Sequence, residues 1–324
     1  MNYNAKIINR IIKQLPSNKN LVNSLMKVLS LSRETTYRRM RNQIPFSFEE
    51  VVILAKYFNI SIDELLEIKE DNNFLLNKNF NIEQNPIDIY TGLLNDEIAF
   101  MKKLHVSKDV KITATLNNIP FRFLPYQLLF KLDYFHYMHS VGKISLVTSR
   151  YSDIEVPPAI SDLHNQLASC LGRLDNITCI VDSMLFTNII KKIQYYRRLR
   201  FFSAEDLQLL QSEMFHLLDM YENLLRSGTN ASGSNYVFYY SFFNLESSLF
   251  FFEYDNDSLL QFWIYPENPI TIRNNQQAKD IQKRWIDLKI RNSMLITKTT
   301  DIHQIEMLRS IYQQISELTE PEIG

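Results

Sequence analysis

The chain has 324 residues, more than one ordinary hydrophobic core supports, so two or three domains are expected. It is 45% apolar, with 21 Phe and 17 Tyr against only 6 Gly, which argues against a Gly-rich nucleotide-binding α/β enzyme and for helices with aromatic-rich strands. The net charge of −1 hides an asymmetry: residues 1–68 hold ten Lys/Arg against six Asp/Glu, a net of +4, leaving −5 on the remainder, as suits nucleic-acid binding by the first part alone.

The N-terminal stretch places Tyr3, Ile7, Ile8, Ile11, Ile12 and Leu15 at helical spacing, and Pro16 ends that helix. Asn9, Arg10 and Lys13 interrupt its apolar residues, so it is not read as a secretory signal, and no apolar run approaches the roughly 18 residues of a membrane span. Leu21–Leu29 is a second amphipathic helix, with Leu21, Leu25, Val28 and Leu29 on one face. After a turn at Ser30-Leu31-Ser32, Ser32 is a good N-cap for a third helix, Arg33–Arg41, which carries Arg33, Arg38, Arg39 and Arg41. Pro45 breaks the chain, and Ser47-Phe-Glu-Glu50 and Ser61-Ile-Asp-Glu64 are capping boxes that place helix starts at 48 and 62.

Two blocks, LMKVLSLSRETTYRRM and PFSFEEVVILAKYFNISIDELL, resemble the lambda-repressor-like (Xre-type) helix-turn-helix family, in the variety called BetR-like. The resemblance covers about a fifth of the chain. It departs in two places: the family usually has Gly in the turn, where this chain has Ser30, and often Asn-Gly after the recognition helix, where it has Asn42-Gln43. A non-Gly residue in left-handed geometry costs up to about 1 kcal/mol.

The resemblance implies double-stranded DNA as partner, with Arg33–Arg41 in the major groove and base-edge contacts from Arg33, Glu34 and Arg38. Helical geometry turns Thr36 and Met40 toward the core and Glu34, Arg38 and Arg41 away from it, with Thr35 and Tyr37 on the flanks. Lys19 and Asn20, opening the preceding helix, are expected to touch phosphate. The plain alternative is a helical bundle, or a protein-interaction scaffold, whose arginines are a solvated face.

Residues 69–86 are polar and Asn-rich, with one apolar knot at Phe74-Leu75-Leu76, and read as a linker ending at Pro86. Beyond it, residues 87–324 read as an α+β body for dimerisation or sensing. Helices are predicted over Ile89–Leu104, Tyr126–Val141, Ala159–Gly172, Met184–Leu199, Ala204–Arg226, Ala278–Arg291 and Ile302–Leu318. Strands are predicted at Val110–Leu116, Lys143–Thr148 and Ser293–Ile296. After the flexible turn Ser227–Ser234, the aromatic runs Tyr236–Asn244, Ser248–Tyr254, Leu259–Tyr265 and Ile270–Arg273 read as an antiparallel β-meander. The fold class is therefore α+β, with an all-α helix-turn-helix head and a mainly helical body. The last 150 residues loosely resemble the region behind BetR-like heads.

Chemistry-bearing constellations are sparse. Asp133, His136 and His139 lie at i, i+3 and i+6, a spacing that turns the first and last apart, so partnered histidines are favoured over a metal site. Cys170 and Cys179 are too few for a disulfide framework and favour a reducing, cytoplasmic compartment. No P-loop, nucleophile elbow or dinucleotide fingerprint is present, so neither an enzyme nor a cofactor is expected. Leu207, Leu210, Met214, Leu217, Tyr221 and Leu224 form an a/d stripe, either core packing or a homodimer seam. A small-molecule or protein effector acting on the body is left open.

Overall fold

The computed structural model describes residues 3–14, 19–58, 60, 62, 75–76, 85–265, 268–299 and 301–320. The chain forms two compact units, residues 1–70 and 71–324.

The first unit packs α1 (Tyr3–Gln14), α2 (Lys19–Leu29), α3 (Arg33–Met40) and α4 (Phe48–Tyr57). Ile7, Ile8 and Ile11 of α1 meet Leu21 and Leu25 of α2, Phe46, and Leu54, Phe58 and Ile60 from α4 and beyond. The capping box at Ser47 forms as the sequence requires: the Ser47 N–H donates to Glu50 Oε2 at 2.6 Å, and the Glu50 N–H donates to Ser47 Oγ at 3.2 Å. Ser61 and Glu64, which would form the second predicted capping box, lie outside the described residues.

The second unit is mixed α+β. Its helices are α5 (Pro86–Val106), α6 (Gln127–Ser140), α7 (Pro158–Leu171), α8 (Met184–Arg198), α9 (Ala204–Ser227), α10 (Gln276–Arg291) and α11 (Ile302–Ser316). Its strands are β1 (Leu75–Leu76), β2 (Lys111–Leu116), β3 (Ile177–Val181), β4 (Tyr236–Ser241), β5 (Ser248–Tyr254), β6 (Asp257–Tyr265), β7 (Asn268–Arg273) and β8 (Ser293–Leu295). They form one eight-stranded sheet in the order β1-β7-β6-β5-β2-β3-β4-β8.

Period-two alternation sorts the strand residues onto two faces. Ile112, Ala114, Cys179, Val181, Phe238, Phe250 and Phe252 face the large core built with α5 to α9 and α11. Ile180, Leu249, Phe251, Leu260 and Ile272 face the smaller core closed by Ile286 of α10. The antiparallel run β5-β6-β7 is a true meander, its first turn made by Asp255 (φ 49°) and Asn256 (φ 67°), left-handed positions that Asp and Asn tolerate.

Four sequence expectations change. The first aromatic run, β4, leaves the meander and pairs parallel with β3, because β2 and β3 insert between it and β5. β3 itself, Ile-Thr-Cys-Ile-Val, was not anticipated. Lys143–Thr148 is a series of turns, since Ile144 and Leu146 dock on the core while Val147 stays exposed and, among the described residues, no strand runs alongside. The knot Leu75–Leu76, in the expected linker, pairs antiparallel with Ile270–Thr271 of β7.

The a/d stripe of α9 is core. Leu207, Leu210, Met214, Leu217, Tyr221 and Leu224 are all buried within the single chain, which removes them as a homodimer seam. The Asp133–His139 trio also resolves into separate partnerships: Asp133 pairs with Lys192 at 3.1 Å, His136 Nδ1 meets Tyr196 OH at 2.6 Å, and His139 Nδ1 meets the Ile144 carbonyl at 2.9 Å. Cys179 is buried, which pushes its thiol up to about 12, and Cys170 is half-buried. Among the described residues, no helix is long and apolar enough to cross a membrane.

Candidate nucleic-acid interface

The surface of interest is built on α3. The turn before it is made by Ser30 in left-handed geometry (φ 53°), while the Leu31 N–H reaches back to the Met26 carbonyl at 3.2 Å. The expected strain at this non-Gly position is thus present, and the turn closes regardless. Ser32 then caps the helix: Thr35 donates its N–H to Ser32 Oγ at 3.3 Å, and the two hydroxyls lie 2.9 Å apart. At the far end Asn42 takes φ 59°, and the Gln43 N–H bonds the Arg38 carbonyl at 2.9 Å. Asn42 takes this left-handed geometry because a short amide side chain tolerates it.

One strip of α3 faces inward. Thr36 is 1% exposed and donates its hydroxyl to the Ser32 carbonyl at 2.9 Å, and Met40 packs on the core of the unit. Arg33, Glu34, Tyr37, Arg38 and Arg41 are exposed, and Thr35 is half-buried beside the cap. Residues 33, 37 and 41 stack at i, i+4 and i+8, and the Arg33 and Arg41 guanidiniums lie 5.9 and 5.8 Å from the Tyr37 ring centre. Glu34 and Arg38 form the adjacent row. The five side chains make one continuous polar ridge about two turns long, close to the reach of a major groove.

Lys19 and Asn20 lie at the start of α2 as expected, while their side chains fall outside the described residues.

The fourth arginine behaves differently. Arg39 donates to Glu50 Oε1 at 3.0 Å and to the Pro45 carbonyl, with its side chain only 16% exposed. Glu50 therefore caps α4 with one oxygen and holds α3 with the other. Asn4 completes the lock: its amide donates to the Arg39 and Ile44 carbonyls at 3.3 and 3.4 Å, and its oxygen accepts the Phe46 N–H at 2.9 Å. The sequence shows Arg39 as one more charge in a run; the signal that separates it is the inward drift of position 39 toward Thr36 and Met40 on the helical wheel. Nothing in the sequence singles out Asn4.

The comparisons with known proteins bear on this same segment. Residues 5–85 match the BetR domain. This is a helix-turn-helix-type DNA-binding domain family, and the match spans the four helices that build and present the α3 ridge. No curated protein and no solved structure matches the chain.

Proposed function

We propose that the protein is a cytoplasmic, sequence-specific DNA-binding transcriptional regulator that lays α3 in the major groove. The reading is carried by one observation: the ridge of Arg33, Glu34, Tyr37, Arg38 and Arg41 stands on a helix capped at both ends and locked from behind by Arg39, within the segment that matches the BetR domain. Arg38, in the middle of the ridge, is the best placed to pair bidentately with guanine, and Glu34 one turn earlier to accept from cytosine N4. Arg33 and Arg41, held against Tyr37, flank them at the two ends. Lys19 and Asn20 are assigned to phosphate.

One head covers few base pairs, so the protein is proposed to act as a homodimer on two half-sites about one helical turn apart. With the α9 stripe buried, the dimer contact lies elsewhere on the chain.

Selection of fragments from genomic DNA by the full-length protein tests the reading, followed by binding titrations over a range of salt. A paired site with a G·C step in each half is expected, with affinity falling steeply as salt rises. Arg38→Ala should cost about 1–3 kcal/mol and relax preference at one base position, while Lys19→Ala should weaken all sequences alike and lower the salt slope by about one. Arg38→Ala that weakens every sequence equally makes Arg38 a phosphate contact and overturns this docking. No salt-dependent DNA binding at all favours the protein-interaction head instead.

A further inference from the structure

The parallel strands β3 and β4 both end at a cavity of about 190 Å³, bordered by the first turn of α8 and by α9 and α11. Crevices outside the carboxyl ends of parallel strands are a recurrent place for ligands in sheets flanked by helices. The volume is a little more than the roughly 150 Å³ that houses a benzene ring. Leu185, Phe186, Met307 and Ile311 give it apolar walls. Ser310, exposed on α11, stands at its mouth.

The polar lining is mostly of one chemical kind. Ser183, Thr187 and Ser310 bring aliphatic hydroxyls, Tyr221 and Tyr240 bring phenols, and Gln314 brings an amide. Among the described residues that line the cavity, none is Lys, Arg or His. Asp182 supplies a carboxylate, and the main chain already answers its charge. It is buried, its Oδ1 accepts the Met184 N–H at 2.8 Å, and its Oδ2 accepts the Leu245 N–H at 2.6 Å. It also sits at the start of α8, where the helix dipole favours a negative group. A cationic ligand is therefore not called for, and an anionic one would find no countercharge.

These groups hold hydrogen-bonding capacity in reserve. Thr187 donates its hydroxyl to the Ser183 carbonyl at 2.8 Å, leaving its oxygen to accept. Ser310 accepts from the Gln314 amide at 3.2 Å, leaving the Ser310 hydroxyl hydrogen and Gln314 Oε1 for a ligand. Ser183 occupies the N-cap position of α8 without making a capping bond, and its side chain meets the Tyr240 hydroxyl.

Tyr221 is the clearest case. It is 4% exposed, and its ring is held between those of Phe186 and Phe238, with centres 5.5 and 5.3 Å away. Its hydroxyl has no hydrogen-bond partner among the described residues. Buried hydroxyls are ordinarily partnered, because water is given up on folding and something must replace it.

We propose that this cavity binds a small neutral polyol or sugar of about four to six carbons, a size that the volume admits. Its hydroxyls meet Tyr221, Ser310 and Gln314, and its C–H face lies against Phe186 and Ile311. A polyol both donates and accepts at every carbon, as this lining does. An apolar ligand would leave the same groups unpaired, and a phosphorylated one would face Asp182 with no cation beside it. The assignment concerns the second unit and is independent of how the first unit meets DNA.

Saturation-transfer NMR on the full chain, followed by titration, tests this with erythritol, ribose, xylose and glucose. Cyclohexanol, ribose 5-phosphate and isobutylamine are the controls. Saturable binding of at least one of the four neutral probes is expected, with cyclohexanol weaker by about tenfold or more, since its hydrogen bonds are fewer. Ribose 5-phosphate and isobutylamine should not bind. Tyr221→Phe removes only the unpartnered hydroxyl, so its thermal melt should hold or rise while affinity for the best probe falls about tenfold. Ser310→Trp, at the exposed mouth, should block binding in a chain that melts like the wild type. Absence of binding by all four probes at about 50 mM, beyond the range of weak specific affinities, overturns the proposal. So does tighter binding of cyclohexanol, ribose 5-phosphate or isobutylamine than of the best neutral probe, or undiminished binding in Tyr221→Phe. A lowered melt in Tyr221→Phe would show that its hydroxyl is already satisfied, which overturns it as well. None of these outcomes alters the DNA titrations, so the two readings fail separately.

Discussion

Helices α3 and α9 use the same local grammar to opposite ends. Each begins at a capping serine, Ser32 or Ser203, and each ends in left-handed backbone, at Asn42 just past α3 and at Gly228. Yet α3 buries only Thr36 fully, and turns a ridge of charge and one aromatic ring outward, whereas α9 buries eight residues, Leu207 to Leu225. The α3 ridge keeps its charges at the surface, where water screens them and a partner can reach them. The second unit takes a charged pair, Glu97 and Arg122, inside. A periodic helix is therefore a statement about local backbone, and only its surroundings decide whether the stripe is a core or a contact.

The sharpest test of this contrast is in α9. Leu210→Lys or Leu217→Lys should unfold the second unit, each costing about 4 kcal/mol or more, since a large apolar side chain is lost and a charge is buried without a partner. Denaturant titration followed by circular dichroism checks it. A folded monomer in place of an unfolded body would return the stripe to the role of a dimer seam.

The next effect concerns the buried pair. Glu97 keeps its proton to about 7 in the folded chain against 4.5 in the open one. The folded state then holds more protons than the unfolded state between those values. Stability contributed by Glu97 therefore falls as pH rises through the window, by about 3 kcal/mol in all at about 1.36 kcal/mol per pKa unit. His136 acts in the other direction: with its pKa lowered to about 4 from 6.5, its contribution rises with pH across that range. The wild-type curve mixes the two, so the informative quantity is the difference from Glu97→Gln. Urea denaturation in steps from about pH 4.5 to 7.5 should show that variant gaining on the wild type by about 3 kcal/mol as pH rises. Parallel curves would mean that Glu97 is ionised throughout, and that the second unit tolerates charge in its interior more easily than its geometry suggests.

The smallest effect separates the arginines of α3 from one another. Arg39→Ala should destabilise the first unit by about 1–3 kcal/mol, because Glu50 and the Pro45 carbonyl lose their shared partner in a half-buried corner. Arg38→Ala, on the exposed ridge, should leave the thermal melt within about 0.5 kcal/mol of wild type. Equal melts for the two would place Arg39 on the ridge and erase the distinction between lock and contact surface.

What the sequence by itself determined was local. Ser32 and Ser47 as helix starts, the placement of Thr36 and Met40 inward, and the ends of α9 follow from hydrogen bonds and periodicities that span only a few residues, so they are visible in the linear order. The exposed ridge on α3 was legible for the same reason. What only the tertiary structure decided was pairing at a distance. Ile177–Val181 is a five-residue, mostly apolar run between two helices, which periodicity cannot assign, and it becomes β3 because β2 and β4 flank it. Lys143–Thr148 has a strand's composition without a strand's neighbour. The run Tyr236–Asn244 lies nearest in sequence to Ser248–Tyr254, yet its strand pairs with β3, because backbone pairing rewards the partner that completes the sheet. Even helix ends were settled this way: Glu213 of α9 accepts the Leu128 and Leu129 N–H groups at 3.2 and 2.7 Å, supplying the cap that the start of α6 lacks. The meeting of Glu97, Arg122 and Trp263 belongs to the same class. Each residue is unremarked in its own segment, and burial alone, which exists only once the chain has closed on itself, turns them into a cluster.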